Sequence, residues 1–277
     1  DVLFADGFES YSTASQLSGN WSSYYQGGNT RIASETVNIF TGNRALELTL
    51  RQGSAEVANA IVKNISPSQD TLFVRAYTKC DSGFANAREG HNGIRMSAQY
   101  PGPGNRPNGT DFFLFTVENS IYYSEAEPGY THVYGYYPEQ REQYGDHWYP
   151  DGKVIPTDSL PGNFGSYFVP RSNFIPERNR WYCYEFMVKA NTPGQRDGRV
   201  AIWIDGQVVA DFPNVRVRDV STLKIDQIQL ELHAKSSVTR ENKKWYDNVV
   251  VAKSYIGPMA TTVRPAPPSN LRIPSGE

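Results

Sequence analysis

The sequence has no apolar run of about 18 residues, the length that a membrane-spanning helix requires, so we expect no membrane partner. Its 27 Lys and Arg residues are balanced by 29 Asp and Glu residues, and they form no long basic cluster. This pattern argues against a nucleic-acid partner and against a protein that binds membrane surfaces. Leu- and Ala-rich stretches are scarce and no repeat of fixed period occurs, which argues against a helical fold.

Cysteine is also scarce, since Cys80 and Cys183 are the only two. Each lies in a strand-like segment, and one disulfide across a sheet and two buried thiols remain equal alternatives, because pairing cannot be read from sequence. No G-x-S-x-G motif occurs. A serine or cysteine nucleophile is therefore disfavoured.

What the sequence does contain is strand-forming and turn-forming residues: 18 Tyr, 13 Phe, 23 Gly and 18 Pro. Many strand-like segments are separated by clusters of Gly, Pro, Asn or Asp, and Asp205-Gly206 has the composition of a tight hairpin turn. We predict one all-β domain, an antiparallel sandwich or jelly roll, over residues 1–256.

Two regions depart from this pattern. Residues 120–179 are rich in Tyr and Pro, and we predict a long ordered loop whose rings either stack on sugars, with Tyr134, Tyr136 and Trp148 as candidates, or pack on one another. Residues 257–277 read as a Pro-rich linker that could lead to further modules. The chain starts almost directly with a strand, as a secreted domain does after loss of its signal.

Polar side chains alternate with apolar ones in several strands, because successive residues face opposite sides of a sheet. In 223–235, Asp226, Ile228, Leu230 and Leu232 point one way, and the opposite row is Gln227, Gln229, Glu231 and His233. Similar polar rows are Arg95, Ser97 and Gln99 after His91; Thr116 and Glu118; and Glu185 and Lys189. These rows form either a solvated outer face or the lining of a groove.

The segments KANTPG, DGRVAIWIDG and YDNVVV resemble concanavalin A-like jelly rolls, in particular secreted polysaccharide lyases that cleave alginate and glucuronan. The resemblance implies two packed antiparallel sheets, one of which forms a concave groove for a glycan, and β-elimination as the reaction. The Tyr-rich region lies outside it.

LFADGFES, TGNRALEL and YDNVVV also resemble the structural calcium site of many jelly-roll glycan-binding modules. That resemblance implies Ca²⁺ held by Glu9, by a carbonyl near Arg44 and by Asp247. Calcium accepts hard oxygen ligands in flexible geometry, so this set suffices.

A lyase must neutralise the sugar carboxylate, remove the adjacent proton and protonate the leaving oxygen. Arg95 or Gln229 suits the first task and His91 or His233 the second. The acid is one of Tyr100, Tyr130, Tyr134 and Tyr136. Binding of the polymer would involve Gln99, Glu118, Glu185, Lys189, Gln227 and Glu231.

We therefore predict a secreted, monomeric polysaccharide lyase acting on a uronate-containing polymer. The alternatives are a non-catalytic carbohydrate-binding module and, third, a glycoside hydrolase with paired carboxylates from Glu118, Glu185 and Glu231. The four histidines show no ligand-like spacing such as HxH or HExxH, so a transition-metal site is not predicted.

Overall fold

The computed structural model describes residues 1–25, 27–87, 90–156, 164–235 and 238–260, and within them no helix is long and apolar enough to cross a membrane. Three short 3-10 helices span Ala14–Gly19, Gly27–Asn29 and Thr36–Asn38. The strands are β1 (Val2–Asp6), β2 (Ser23–Tyr25), β3 (Thr30–Ala33), β4 (Ala45–Leu50), β5 (Val57–Gln69), β6 (Thr71–Cys80), β7 (Gly90–His91), β8 (Ile94–Ala98), β9 (Phe113–Ser120), β10 (Tyr130–Tyr136), β11 (Asp146–Trp148), β12 (Val154–Ile155), β13 (Tyr182–Lys189), β14 (Gly198–Ile204), β15 (Gln207–Val215), β16 (Ile225–Ala234) and β17 (Asn242–Ala252).

These strands form two antiparallel sheets, which confirms the predicted jelly-roll sandwich. The eight-stranded sheet has the order β15-β14-β13-β6-β17-β4-β3, with β1 also paired to β17. The nine-stranded sheet has the order β12-β11-β10-β9-β8-β16-β5-β2, with β7 also paired to β16. Apolar side chains from both sheets make up the main buried core. The polar face of the nine-stranded sheet is left free for a site.

The alternation predicted in β16 is present, with one exception. Ile228, Leu230 and Leu232 are fully buried in the core. Asp226 does not share their face, because the pairing of β16 with β5 shifts register between Ile225 and Gln227. Ile225 therefore takes the core position, and the Asp226 carboxylate accepts the N–H of Gln99 at 3.1 Å.

The predicted long loop is wrong in part, because it contains β10, β11 and β12, which extend the nine-stranded sheet. The alternation in YTHVYGY went undetected because Tyr and His fill one face, while Thr131, Val133 and Gly135 fill the other. Gly135 permits close packing here: a Cβ would lie 2.8 Å from the ring of Phe115.

Trp148 belongs to the core and not to a sugar-binding surface. Its side chain is 1% exposed, and its ring packs at 5.4 Å from that of Phe115 and 5.5 Å from that of Phe212. In β11 it faces the core because His147, its neighbour, takes the polar face. The predicted role of Trp148 in substrate binding is therefore wrong.

Glu185 and Lys189 lie on β13, on the outer face of the eight-stranded sheet, so they cannot line a groove in the other sheet. The Glu185 carboxylate instead accepts the N–H groups of Ile256 and Gly257, both at 2.7 Å. The hydroxyl of Tyr77 accepts the N–H of Met259 at 2.8 Å. The chain after β17 is thereby fixed to this outer face.

The two cysteines lie on opposite faces of the same sheet. Cys183 pairs directly with Tyr77, so those two side chains share a face. Tyr77 and Cys80 are three residues apart in β6 and so face opposite sides. The disulfide alternative is excluded, and both thiols are free and buried.

Candidate active site

Residues from five strands meet on the polar face of the nine-stranded sheet. Gln229 pairs with Arg95, Arg95 with Thr116, Thr116 with Tyr134, and Tyr134 with His147. Directly paired residues share a face, so the register alone aligns these side chains in one row across the sheet. A cavity of about 400 Å³ lies above them. Its lining includes six residues that the sequence analysis named for the site: His91, Arg95, Tyr100, Tyr134, Tyr136 and His233.

His91 lies on the same face of the sheet, next to this row. Its ring stacks on His233 at 5.6 Å and contacts Tyr134 at 4.8 Å, while its Nδ1 lies 2.9 Å from Oε2 of Glu118. Gly93, which follows β7, allows this close approach of the strands, because a Cβ there would overlap the carbonyl oxygen of Val117.

Glu118 and His91 shift each other's pKa in opposite directions. Burial alone would raise the pKa of Glu118, but the neighbouring charge of His91 and the contacts to His91 and His132 hold it below its usual range. Burial would lower the pKa of His91, whereas the charge of Glu118 and the hydrogen bond to it raise the pKa above its usual range. Glu118 is therefore a buried carboxylate at neutral pH.

Arg95 and Gln229, the two residues predicted to neutralise a substrate carboxylate, both contact the carboxylate of Glu231. Nη2 of Arg95 and Nε2 of Gln229 both donate to Oε2 of Glu231 at 2.7 Å. Arg95 lines the cavity and retains other N–H donors, whereas Gln229 lies beside it and is not part of the lining. Arg95 is thus the better placed of the two to meet a substrate carboxylate.

His233 is held in one orientation by Glu56, whose Oε1 lies 3.0 Å from Nε2 of the imidazole. Burial and the nearby charge of His91 lower the pKa of His233, and the hydrogen bond to Glu56 opposes this only in part. His233 is therefore neutral at neutral pH. With Nε2–H donated to the carboxylate, the other nitrogen, Nδ1, carries a lone pair.

Tyr134 is distinguished among the four candidate tyrosines by its contacts. Its ring lies 4.8 Å from both His91 and His147, and its hydroxyl accepts the N–H of Gly145 at 3.2 Å. Burial and the neighbouring Tyr136 raise its pKa. Tyr100 and Tyr136 also line the cavity, whereas Tyr130 packs against Tyr123 at 5.1 Å and is not part of the lining.

Two predicted binding residues, Gln227 and Gln99, do not line the cavity. Nε2 of Gln227 donates to Asn64 at 3.2 Å on the adjoining strand β5. Gln99 follows β8 in a left-handed conformation with a φ of 48°, and its side chain is exposed. Both are outside the cavity lining.

The sequence analysis did not anticipate the place of His132 and His147. Nε2 of His132 lies 2.7 Å from Nδ1 of His147, and both rings are buried next to Glu118. All four histidines of the chain thus gather on one face of one sheet. Their spacing showed no motif because neighbouring strands, and not one segment, bring them together. The alternation in YTHVYGY is the sequence signal that would have placed His132 on this face.

The residues predicted to bind calcium gather around one turn, residues 40–44. The Glu9 carboxylate accepts the N–H groups of Asn43 at 2.9 Å and Arg44 at 3.1 Å. The Asp247 carboxylate accepts the N–H groups of Phe40 at 3.0 Å and Thr41 at 3.2 Å. Burial raises the pKa of Asp247 to about 6, and the charge of Glu9 adds to the effect. Two neighbouring carboxylates of this kind fit a hard divalent cation in charge and donor chemistry.

Comparison with known proteins identifies the fold. The sequence matches no protein-family model and no curated protein sequence. Among solved structures, the alginate lyase Aly36B in complex with an alginate tetrasaccharide is similar, with a TM-score of 0.65 and 18% identity over 91% of this chain and 96% of that one. The marine PL-14 alginate lyase from Aplysia kurodai is similar with a TM-score of 0.62 and 13% identity, over 92% of this chain and 100% of that one. The endo-beta-1,4-glucuronan lyase from the fungus Trichoderma reesei is similar with a TM-score of 0.57 and 14% identity, over 92% of this chain and 96% of that one. The predicted resemblance to these lyases is confirmed for the fold.

Proposed function

We propose that the chain is a polysaccharide lyase that cleaves a uronate-containing polysaccharide by β-elimination in the cavity. The observation that carries this proposal is that a cation, a neutral imidazole and a tyrosine line the same cavity: Arg95, His233 and Tyr134. The similar structures support the substrate class, because alginate and glucuronan are both polymers of uronic acids. Secretion and a monomeric state belong to the same proposal.

Each residue has a task in the reaction. Arg95 neutralises the sugar carboxylate, which acidifies the proton on the adjacent carbon. Nδ1 of His233 accepts that proton, and the electron pair of the broken C–H bond forms a carbon–carbon double bond as the glycosidic C–O bond breaks. Tyr134, protonated at neutral pH like an ordinary tyrosine, gives its proton to the departing oxygen.

Paired-carboxylate hydrolysis fits the geometry less well. Glu185 lies on the other sheet, so Glu118 and Glu231 are the remaining candidates. Both are 1% exposed, and each has a carboxylate oxygen within 4.8 Å of one on the other. A glycosidase needs two carboxyl groups that reach a substrate on either side of the scissile bond, and two buried carboxylates cannot do this.

The test is the ultraviolet absorbance of the unsaturated product during incubation with alginate, glucuronan and a neutral glucan. We expect product from a polyuronate, and a loss of about 10²–10⁴-fold in kcat for His233→Gln and for Tyr134→Phe. Tyr123→Phe is the matched control, since Tyr123 bonds to Asp151 at 2.8 Å outside the cavity lining, and it should retain activity.

Two outcomes would contradict the proposal. Reducing ends without absorbance would indicate hydrolysis. The absence of both, together with retardation of the protein in an affinity gel containing one of the polymers, would indicate a non-catalytic binding module.

A further inference from the structure

We propose that Glu118, His132 and His147 form a binding site for one divalent transition-metal ion of the zinc class. One ligand atom from each residue lies within 4.8 Å of the other two. Nε2 of His132 is 3.4 Å from Oε1 of Glu118 and 2.7 Å from Nδ1 of His147. Ligand atoms about 2.0–2.2 Å from a tetrahedral ion are separated by roughly 3.3–3.6 Å. The His132–Glu118 pair already has this spacing, the two imidazoles must open slightly, and the Glu118–His147 pair lies within the 4.8 Å limit.

The outer contacts of His132 and Glu118 leave the proposed ligand atom of each residue without a hydrogen bond outside the proposed site. Nδ1 of His132 lies 3.3 Å from the carbonyl oxygen of Tyr130, an N–H donor position that leaves the lone pair on Nε2. Oε2 of Glu118 is engaged by His91 at 2.9 Å, which leaves Oε1 for another partner. Metal-binding histidines regularly donate their other ring N–H to a carbonyl or carboxylate in this way.

An unsatisfied atom also points to a ligand. Glu118 is only 1% exposed, and its Oε1 is buried without a hydrogen-bond partner. A buried carboxylate oxygen without a partner is costly. Within the described residues, the ion pairs of Glu118 are with His91 and His132, and no Lys or Arg side chain reaches it. A cation at this point would give Oε1 a stronger partner than its 3.4 Å contact with His132.

The donor set selects the class of ion. Two imidazoles and one carboxylate suit zinc and its first-row neighbours, whereas calcium and magnesium prefer oxygen ligands alone. Three protein ligands leave the fourth position of a tetrahedral ion for water or another oxygen. His147 lines the cavity, so the ion would lie just beneath the cavity wall. This site is distinct from the predicted calcium residues Glu9 and Asp247, which lie at the eight-stranded sheet.

The experiment measures binding directly and does not depend on lyase activity. The protein is freed of metal with a chelator, transferred to a buffer with excess Ca²⁺ to fill any oxygen-ligand site, and titrated with Zn²⁺ by calorimetry. A parallel titration with Co²⁺ records the visible absorption typical of four-coordinate cobalt. We expect one equivalent of Zn²⁺ to bind. Loss of an outer contact to a metal ligand lowers metal affinity about 10–100-fold, and we expect His147→Gln and His132→Gln to lower it by more.

His233→Gln is the matched control, because it removes an imidazole from the same cavity but not from the proposed site, and its Zn²⁺ affinity should match that of the wild type. Absence of the cobalt band in excess Co²⁺, or equal Zn²⁺ affinity in wild type and His147→Gln, would overturn the proposal. If a histidine variant does not fold, Glu118→Gln and the wild-type cobalt spectrum still decide the question.

Discussion

Arg95, which lines the cavity, forms a 2.7 Å ion pair with Glu231 on the neighbouring strand β16. Glu231 is 1% exposed, and its second oxygen, Oε1, is buried without a hydrogen-bond partner. The cation that would meet a substrate carboxylate is therefore already partly neutralised. Glu231 competes with the substrate for Arg95.

Glu231→Gln should increase the attraction of Arg95 for a polyuronate, because it removes the competing charge and keeps the side-chain shape. We expect KM to fall severalfold with little change in kcat. Arg95→Met should raise KM and lower kcat, because it removes the cation that acidifies the substrate proton. It should also lower the free energy of unfolding by about 3–5 kcal/mol, because it leaves Glu231 buried and unpaired. Steady-state kinetics and urea denaturation measure both effects. A higher KM for Glu231→Gln would show instead that Glu231 itself holds the sugar.

The pH dependence of kcat/KM should report His233. A base must be neutral, and the lowered pKa of His233 places the acidic limb below the ordinary histidine value of about 6.5. The charged groups that face this ring are His91 on β7, Glu231 on its own strand and Glu56. Glu56→Gln removes the carboxylate charge that raises the pKa of His233 and weakens the hydrogen bond to it, so the acidic limb should move to still lower pH. An upward shift would contradict the assignment of His233 as the base.

Because Lys244 is buried, we expect the free energy of unfolding to depend on pH. Its ammonium donates to the carbonyl of Asn92, and burial lowers its pKa to about 8, compared with about 10.4 in an unfolded chain. Between these values the unfolded chain binds a proton that the folded chain has lost. The contribution of Lys244 to the free energy of unfolding therefore rises with pH, by at most about 1.4 kcal/mol per unit.

Lys244→Met removes this contribution. From about pH 8 to 10, the free energy of unfolding of the wild type should therefore rise relative to that of the variant. Urea denaturation across this range measures it. Lys243→Met, on the opposite face of the same strand, controls for the loss of one lysine. A difference that does not vary with pH would show that the Lys244 amine titrates alike in the folded and unfolded chains.

Calcium should stabilise the fold through Glu9 and Asp247. We expect Ca²⁺ at about 100 times its Kd to raise the free energy of unfolding by about 2.7 kcal/mol, and a chelator to reverse this. Asp247→Asn should abolish the effect. Asp211→Asn is the control, because Asp211 pairs with Arg199 at 2.7 Å elsewhere on the sheet. Thermal unfolding with and without Ca²⁺ tests this, and an equal response of wild type and Asp247→Asn would refute it.

The fold could be predicted from sequence where aliphatic residues alternate with polar ones. Ile228, Leu230 and Leu232 fixed the faces of β16, and Asp205-Gly206 fixed a hairpin, with φ angles of 50° and 80° at the turn between β14 and β15. The prediction failed at β10 because aromatic rings and imidazoles replaced the polar row. It failed at Asp226 because a register shift leaves no trace in the sequence.

The site could be predicted only in part, because alternation identifies the face of a strand but not the sheet to which the strand belongs. Glu185 and Gln229 occur in similar alternating segments, yet they lie on different sheets. Strand order, which separates them, depends on packing between distant segments. The same limit explains why His132 and His147 were not recognised as partners of Glu118.

The placement of Cys80 and Cys183 on opposite faces of β6 and β13 has a consequence for where the protein can be produced. No covalent cross-link between them contributes to stability, and burial raises the pKa of both thiols, which keeps them as unreactive thiols. Folding therefore needs neither an oxidant nor a disulfide isomerase. The domain should reach the same fold in the reducing cytoplasm of an expression host as in an oxidising extracellular medium.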